Sequence, residues 1–496
     1  MRVLPAGRIA LPSTLIVLLL AACGSQLDPG AVAQAGGGVE GGTTSSGLLE
    51  SDPAAADGGP AGLDGSDAPG LDGGAGSVPG SPVAAGGGTS GSGGAGGSSG
   101  SPGGGGAPAP EGDAKAGACE GFENTTGITD DTIVLANAVD LSGPVPGLMQ
   151  ASQDAIRAYA AYFNATSDIC GRKLEVLALD SRTDAAADQV AYSEACEKAF
   201  AAVGSMSAFD AGGARTAEQC GLPDLRAASA SLERSGCSTC FGAMSLRANE
   251  FENAVPDWVK RNYPAGAKRA AYVWVNAGAV PANANYQADA MEKRGLDFVV
   301  RQGIDVSEFN YAPYVQQLRD AKVEYVQFLG AAAQAVRMVQ TMRQQGWAPD
   351  LFMMTQPMYE PSFLEVAGEA AEDAHIFITH VPFEEASRST EVQTYLAWLE
   401  QVRPGAAPTS YGLFSWSAAR LFVQEAVRLG GRLTRDALVA ALRRVDDWTG
   451  NDAHAPQNVG SERTAECWRF IKVTGGRWVP AGSRDYTCTG TTVVPE

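Results

Sequence analysis

The chain has 496 residues and a net charge of −20 at pH 7, with 56 acidic against 36 basic side chains. An acid excess of that size argues against nucleic acid as a partner and against a direct electrostatic grip on anionic lipid. The length allows more than one hydrophobic core, and three histidines leave little material for a histidine-built metal or catalytic centre.

Arg2 and Arg8 precede an apolar run from Ile9 to Ala22. A basic start before a short apolar stretch is the layout of a secretory signal peptide, here residues 1–22. The run is shorter than the roughly 20 apolar residues a membrane-spanning helix needs. It ends Leu20-Ala21-Ala22-Cys23, which resembles the lipobox of bacterial lipoproteins. That resemblance implies that Cys23 becomes the mature N-terminus and carries lipid, anchoring the protein to the outer face of the cytoplasmic membrane. An ordinary signal peptide with an incidental cysteine is the alternative.

Residues 23–118 are rich in Gly, Ser, Ala and Pro, as in "GGGTSGSGGAGGSSGSPGGGG". So little apolar surface is available for burial that ordering entropy goes uncompensated, and a disordered tether is expected. A Gly-rich coil of this length spans roughly 50–60 Å end to end. Its ten acids against one lysine keep it extended.

From Cys119 onward, strand and helix signals alternate. "DTIVLANAV" (131–139) is a continuous apolar run, and a helix is predicted over 147–165. Then come "KLEVLALD" (173–180), a helix over 183–198 and "AFAAVGS" (199–205). The pattern restarts near Glu250: a helix through "NAVPDWVKRNY", strands at 268–276, 296–302, 323–330 and 351–356, and helices between them. "HIFITHV" (375–381), two long helices and "CWRFIKVTGGRWVP" with a Thr474-Gly475-Gly476 hairpin turn complete the chain. Short apolar runs separated by helices indicate βαβ units and parallel sheets. Two such runs of similar length predict an α/β protein of two lobes.

Besides Cys23 there are eight cysteines: Cys119, Cys170, Cys196, Cys220, Cys237, Cys240, Cys467 and Cys488. An even number in an exported domain reads as a disulfide set, whose connectivity the sequence leaves open. Neighbours in order are the favoured pairing: 119–170, 196–220, 237–240 and 467–488. Cys237-Ser-Thr-Cys240 sits in a Gly-flanked loop rather than at a helix start, which favours a structural bridge over a redox motif. With no second CxxC and no paired histidines, the spacing does not suit zinc.

"GITDDTIVLANAVDLSGPVPGLMQASQDAIRAYAAYFNATSDICGRKLEVLALDSRTDA" resembles the opening of type I periplasmic binding proteins, in particular the branched-chain amino acid and amide solute-binding proteins of ABC transporters. The "ITDDTI" start, the "DLSGP" loop, "CGRKLEV" and "FAAVGSMSAFDAGG" carry the likeness, which extends over about 127–480. It implies two Rossmann-like lobes with parallel sheets joined by a three-strand hinge. Lobe one would be 119–246 and 379–455, and lobe two 247–378 and 456–496. It also implies a small-molecule ligand held in the cleft, an ABC permease as partner, no cofactor and a monomer.

The candidate ligand contacts follow from loop position. In "VGSMSAFDAGG" (203–213), Ser205, Met206 and Ser207 lead from a strand into a helix, where free amides and hydroxyls suit a carboxylate; the same serines could simply cap the helix. Ala228, Ser229 and Ser231 in "RAASASLERSG", and Ser142 in "DLSGP", are placed at the cleft by the resemblance. Lobe two departs from the family: the loops read "AGAVPANANY" and "AAAQ", and Gln356 stands where relatives can have glutamate. Loss of that acid weakens an amino-acid reading, because an unpaired ammonium in a closed cleft is costly. Asn276, Gln356 and Tyr359 could hold a neutral polar or amide-like ligand, and the alanines leave room for a bulkier or more apolar one. Phe209, Trp274 and Trp416 lie near predicted strand ends and read as core.

The folded body has no GxSxG elbow and no HExxH, and the acid pairs Glu384-Glu385 and Asp446-Asp447 read as solvated. A solute receptor serving an ABC importer is therefore favoured over an enzyme. A sensor or scavenger of the same fold is the alternative.

Overall fold

The computed structural model describes residues 117–144 and 147–496. The expected signal peptide, Cys23 and the tether up to residue 116 lie outside these residues. Gly117 and Ala118, the end of the expected tether, already pack on the body: the Gly117 amide donates to Val427 and the Ala118 carbonyl accepts from Gly431.

The first sheet has the order β2-β1-β3-β4-β5, all parallel. Its strands are β1 (Thr132–Val139), β2 (Lys173–Asp180), β3 (Ala201–Val203), β4 (Asp224–Ala228) and β5 (Cys240–Met244). β1 is buried throughout its second half, as its unbroken apolar run requires of a strand covered on both faces. The crossover helices are α1 (Gln150–Thr166), α2 (Ala185–Lys198), α3 (Ala211–Gln219) and the short α4 (Leu232–Ser235). Three helices from later in the chain, α10 (Thr390–Val402), α11 (Ser410–Leu429) and α12 (Arg435–Leu442), return to this lobe. α11 is buried along most of its length and carries Trp416 into the core against Tyr159.

The second sheet runs β13-β12-β11-β10-β9-β7-β8. It is parallel through β7 (Ala270–Asn276), β8 (Phe298–Asp305), β9 (Tyr325–Leu329), β10 (Leu351–Met354) and β11 (His375–Ile378). Antiparallel β12 (Cys467–Thr474) and β13 (Arg477–Pro480) form one edge. Its helices are α5 (Ala254–Asn262), α6 (Val280–Lys293), α7 (Ala312–Asp320), α8 (Ala332–Gln344) and α9 (Pro361–Ala367). Three pairings escaped the sequence reading. Cys240 opens β5 rather than lying in a loop; β6 (Glu250–Glu252) pairs with β15 (Thr491–Val493); and β14 (Thr487–Cys488) pairs with β12.

The chain passes between the sheets after Met244, after Ile378 and before Cys467. One buried side chain joins all three passages. Gln457 accepts from the Ser245 amide at 3.0 Å and donates to the Thr379 hydroxyl at 3.1 Å. Among the described residues there are four disulfides, Cys119–Cys170, Cys196–Cys220, Cys237–Cys240 and Cys467–Cys488; Cys237 and Cys240 are buried in a small core cluster of the first lobe, against which Cys196 and Cys220 pack. Glu384 is exposed, as expected, while accepting from the Tyr359 hydroxyl; Glu385 is mostly covered and takes the buried Arg469 guanidinium through both oxygens. Packing at the second crossover brings these partners together, which adjacency in sequence does not reveal.

Candidate functional site

Parallel strands point their carboxyl ends to one side of a sheet, and the loops there are free to meet a ligand. The carboxyl ends of β4, β5, β7, β9 and β10 converge on one cavity of about 270 Å³ between the two sheets. Ala228, Ser229, Met206 and Met244 wall it from the first lobe, and Asn276, Leu329, Thr355 and Gln356 from the second. Phe251, Phe377 and Trp468 extend its apolar surface, and Tyr411 from the start of α11 adds to the first-lobe wall.

The two lobes touch across this cavity. The Ala279 amide donates to the Ala208 carbonyl at 3.0 Å, and Asn283 Nδ2 donates to the Ala230 carbonyl at 2.9 Å. Gly278 has φ of +50°, and a Cβ there would stand 2.1 Å from the Ala208 carbonyl oxygen, so only glycine permits this approach. Gln356 Nε2 lies 2.9 Å from Met244 Sδ, and its Oε1 accepts from the Thr379 amide at 2.7 Å.

Of the sequence-predicted contacts, Met206, Ala228, Ser229, Asn276 and Gln356 are on the cavity wall. Ser142, Ser205, Ser207, Ser231 and Tyr359 are not. Asp140 organises much of this difference: its carboxylate accepts from the hydroxyls of Ser207 at 2.9 Å and Ser181 at 2.6 Å and from the amides of Thr183 and Ala208. Ser205 Oγ accepts from the Ala138 amide, Ser142 Oγ donates to Asp180, and Asp210 accepts from the Ala230 amide and the Ser231 hydroxyl. Ser231 also caps α4 by accepting from the Arg234 amide. Tyr359 is buried in the second core and meets Glu384 and the Phe383 amide. Phe209 reaches the cavity, whereas Trp416 is wholly buried and Trp274 packs at the edge of its core, its indole donating to Asn276.

Sequence reasoning missed Glu252, Asn283, Gln334 and Thr355. All four line the cavity, and each carries a buried polar atom without a hydrogen-bond partner: Glu252 Oε1, Asn283 Oδ1, Gln334 Oε1 and Thr355 Oγ1. An unpaired buried polar atom costs about 1–3 kcal/mol, so their collection on one wall is a mark of a ligand site. The available signal for Glu252 was "EFE", an acid–apolar–acid alternation that puts both acids on one face of a strand. Among the described residues no group of three or more His, Cys, Asp or Glu is arranged to hold a metal ion.

The family model described as periplasmic binding protein matches residues 132–477. No curated protein matches in sequence. Solved structures share the fold. The fatty acid ABC transporter substrate-binding protein of Thermomonospora curvata has a TM-score of 0.64 at 18% identity, covering 75% of this chain and 97% of that one. The branched-chain amino acid transporter substrate-binding protein of Streptococcus pneumoniae, in complex with isoleucine, has a TM-score of 0.60 at 13% identity, covering 72% and 100%. A solute-binding protein of R. palustris in complex with benzoate has a TM-score of 0.59 at 14% identity, covering 72% and 98%. With most of its length matched, the chain belongs to the periplasmic binding protein family, whose members are extracytoplasmic solute-binding proteins of ABC importers and not enzymes.

Proposed function

We propose that the chain is a lipid-anchored receptor that captures a small ligand between its lobes and delivers it to an ABC permease. Cys23 holds the lipid, and the Gly-rich tether lets the body range outside the membrane while staying near the permease. The observation that carries this reading is the cavity bounded by strand ends of both sheets, with polar contacts already reaching across it. A ligand touching both walls favours the closed arrangement by its differential affinity, and closure is the shape a permease can recognise. Isoleucine, benzoate and a fatty acid, named for the similar proteins, all join an apolar body to a small polar head. The largely apolar wall around a few polar groups supports a ligand of that general build.

The test is a melting-temperature screen of the full purified chain against amino acids, amides, aromatic acids and fatty acids. A ligand at 100 times its Kd stabilises the folded state by about 2.7 kcal/mol, which a melting curve resolves. No stabilisation by any class would count against a solute receptor. Cys23→Ser is expected to release the protein into the medium, since burial of acyl chains at about 0.8 kcal/mol per CH₂ is what retains it. Retention of that variant would overturn the anchor.

A further inference from the structure

A free amino acid brings a carboxylate and an ammonium into its site, and each needs a partner of suitable charge or several aimed hydrogen bonds. This cavity offers neither set. The hydroxyls of Ser205 and Ser207 and the Ala230 amide are engaged inside the first lobe. Arg247 is the one basic residue among those lining the cavity, and it is exposed at the edge. Of the other acids on the wall, Glu250 is taken up by Arg463, the Thr464 amide and the Thr491 hydroxyl, and Glu360, in no ion pair, accepts from the Ser362 hydroxyl at 2.9 Å.

Glu252 differs from them. It is 2% exposed, in no ion pair, and its Oε1 has no partner although the residue lines the cavity. The titratable groups that face it are the phenols of Tyr272 and Tyr325, both buried. Burial without a cation pushes the Glu252 carboxyl well above the usual carboxylate range, so the group is held as the neutral acid, which has a proton to donate. Around it the wall is apolar: Phe251, Leu329, Phe377 and Trp468.

Resting on the receptor reading above, we infer that Glu252 is a ligand-binding residue that donates its carboxyl proton in a hydrogen bond to an uncharged oxygen, carbonyl or hydroxyl, of a predominantly apolar ligand. Asn283, Gln334 and Thr355 supply further oxygens that accept from any N–H or O–H the ligand carries. The cavity thereby selects neutral oxygenated molecules over zwitterions.

The test uses the full chain at neutral pH with octanamide, 2-octanone and 1-octanol as neutral probes and leucine and phenylalanine as zwitterions. The expected result is stabilisation by at least one neutral probe and none by the amino acids. Stabilisation by the amino acids alone, or by none of these probes, overturns this inference; the receptor reading falls only if the wider screen above also gives no stabilisation. For the bound neutral probe, Glu252→Gln, which keeps an N–H donor, is expected within about threefold of the parent affinity. Glu252→Leu is expected at least tenfold weaker, a loss of about 1.4 kcal/mol. Equal affinity of Glu252→Leu and parent overturns the assignment. If the leucine variant does not fold, infrared difference spectra decide: probe binding should shift a protonated-carboxyl C=O band in the parent that Glu252→Gln lacks, and an unshifted band overturns it.

Discussion

The Thr379 backbone amide donates to the Gln356 side-chain oxygen at 2.7 Å, so a residue of the cavity wall holds the crossover between the lobes. Both groups are buried, and the other end of the same amide reaches Met244 at the tip of β5. Gln356→Ala would leave the Thr379 N–H dry and unpaired. The expected cost is about 1–3 kcal/mol in denaturant unfolding. Gln356→Glu keeps an acceptor for that amide and should lose less. Equal stability of parent and alanine variant would show that water replaces the bond at no cost.

Gly278 marks a close approach between the lobes. A methyl group there collides with the Ala208 carbonyl, and φ of +50° adds a left-handed penalty of about 1–2 kcal/mol. The collision exists only while the lobes are in contact; separating them relieves it. Gly278→Ala should therefore weaken ligand binding at least tenfold, and small-angle scattering should show a larger radius of gyration at saturating ligand. Unchanged affinity would mean that this loop shifts without opening the cleft.

The frame of the molecule was legible because its strands are short, apolar-rich runs separated by helices. "KLEVLALD" is β2 to the residue, and the restart near Glu250 marks the passage into the second sheet. The pairing of β6 with β15 was not legible, since it joins residues about 240 positions apart and "EFE" offers only one apolar residue. The wall of the cavity was half legible. Strand-end position found Met206, Ala228, Ser229, Asn276 and Gln356, whereas Ser205 and Ser207 looked equally suitable until Asp140 and Ala138, 67 positions away, were seen to occupy them. Glu252 was missed for the opposite reason: acids in a sequence read as solvated, and only the packing of Phe251, Tyr272 and Tyr325 in the same core shows that this one is dry.

The disulfides are expected to contribute unequally. A bridge restricts the unfolded chain in proportion to the logarithm of the loop it closes. Cys119–Cys170 spans 51 residues and Cys237–Cys240 only 3. The chain-entropy relation gives about 4 kcal/mol for the first and about 2 kcal/mol for the second. Paired Cys→Ala variants measured by denaturant unfolding test this order. A larger loss at Cys237–Cys240 would mean that its burial beside Arg234, not loop closure, sets its worth.

Acid sensitivity should come in part from two histidines on the crossover segments. His380 and His454 pair across an isolated bridge, and both are buried. His454 Nδ1 lies 2.9 Å from the Ala455 carbonyl, which requires N–H there, so Nε2 accepts from Ser417 Oγ at 2.8 Å. Burial lowers the His380 pKa to about 4 and that of His454 to about 3, the latter also depressed by His380. The unfolded chain, near 6.5, binds these protons first, so stability is complete above about pH 6.5 and falls as the pH drops toward the folded values. Each histidine removes about 1.4 kcal/mol per pH unit in that window, or about 2 kcal/mol by pH 5. Buried acids act with the opposite sign: Asp188 and Glu462, raised by burial to about 6 and about 8, bind protons more tightly when folded. The histidine contribution must therefore be read as a difference. The unfolding free energy of His454→Gln should fall by about one proton less steeply than the parent between pH 6.5 and pH 4.5. Parallel curves would show that His454 gains a charge without leaving its site.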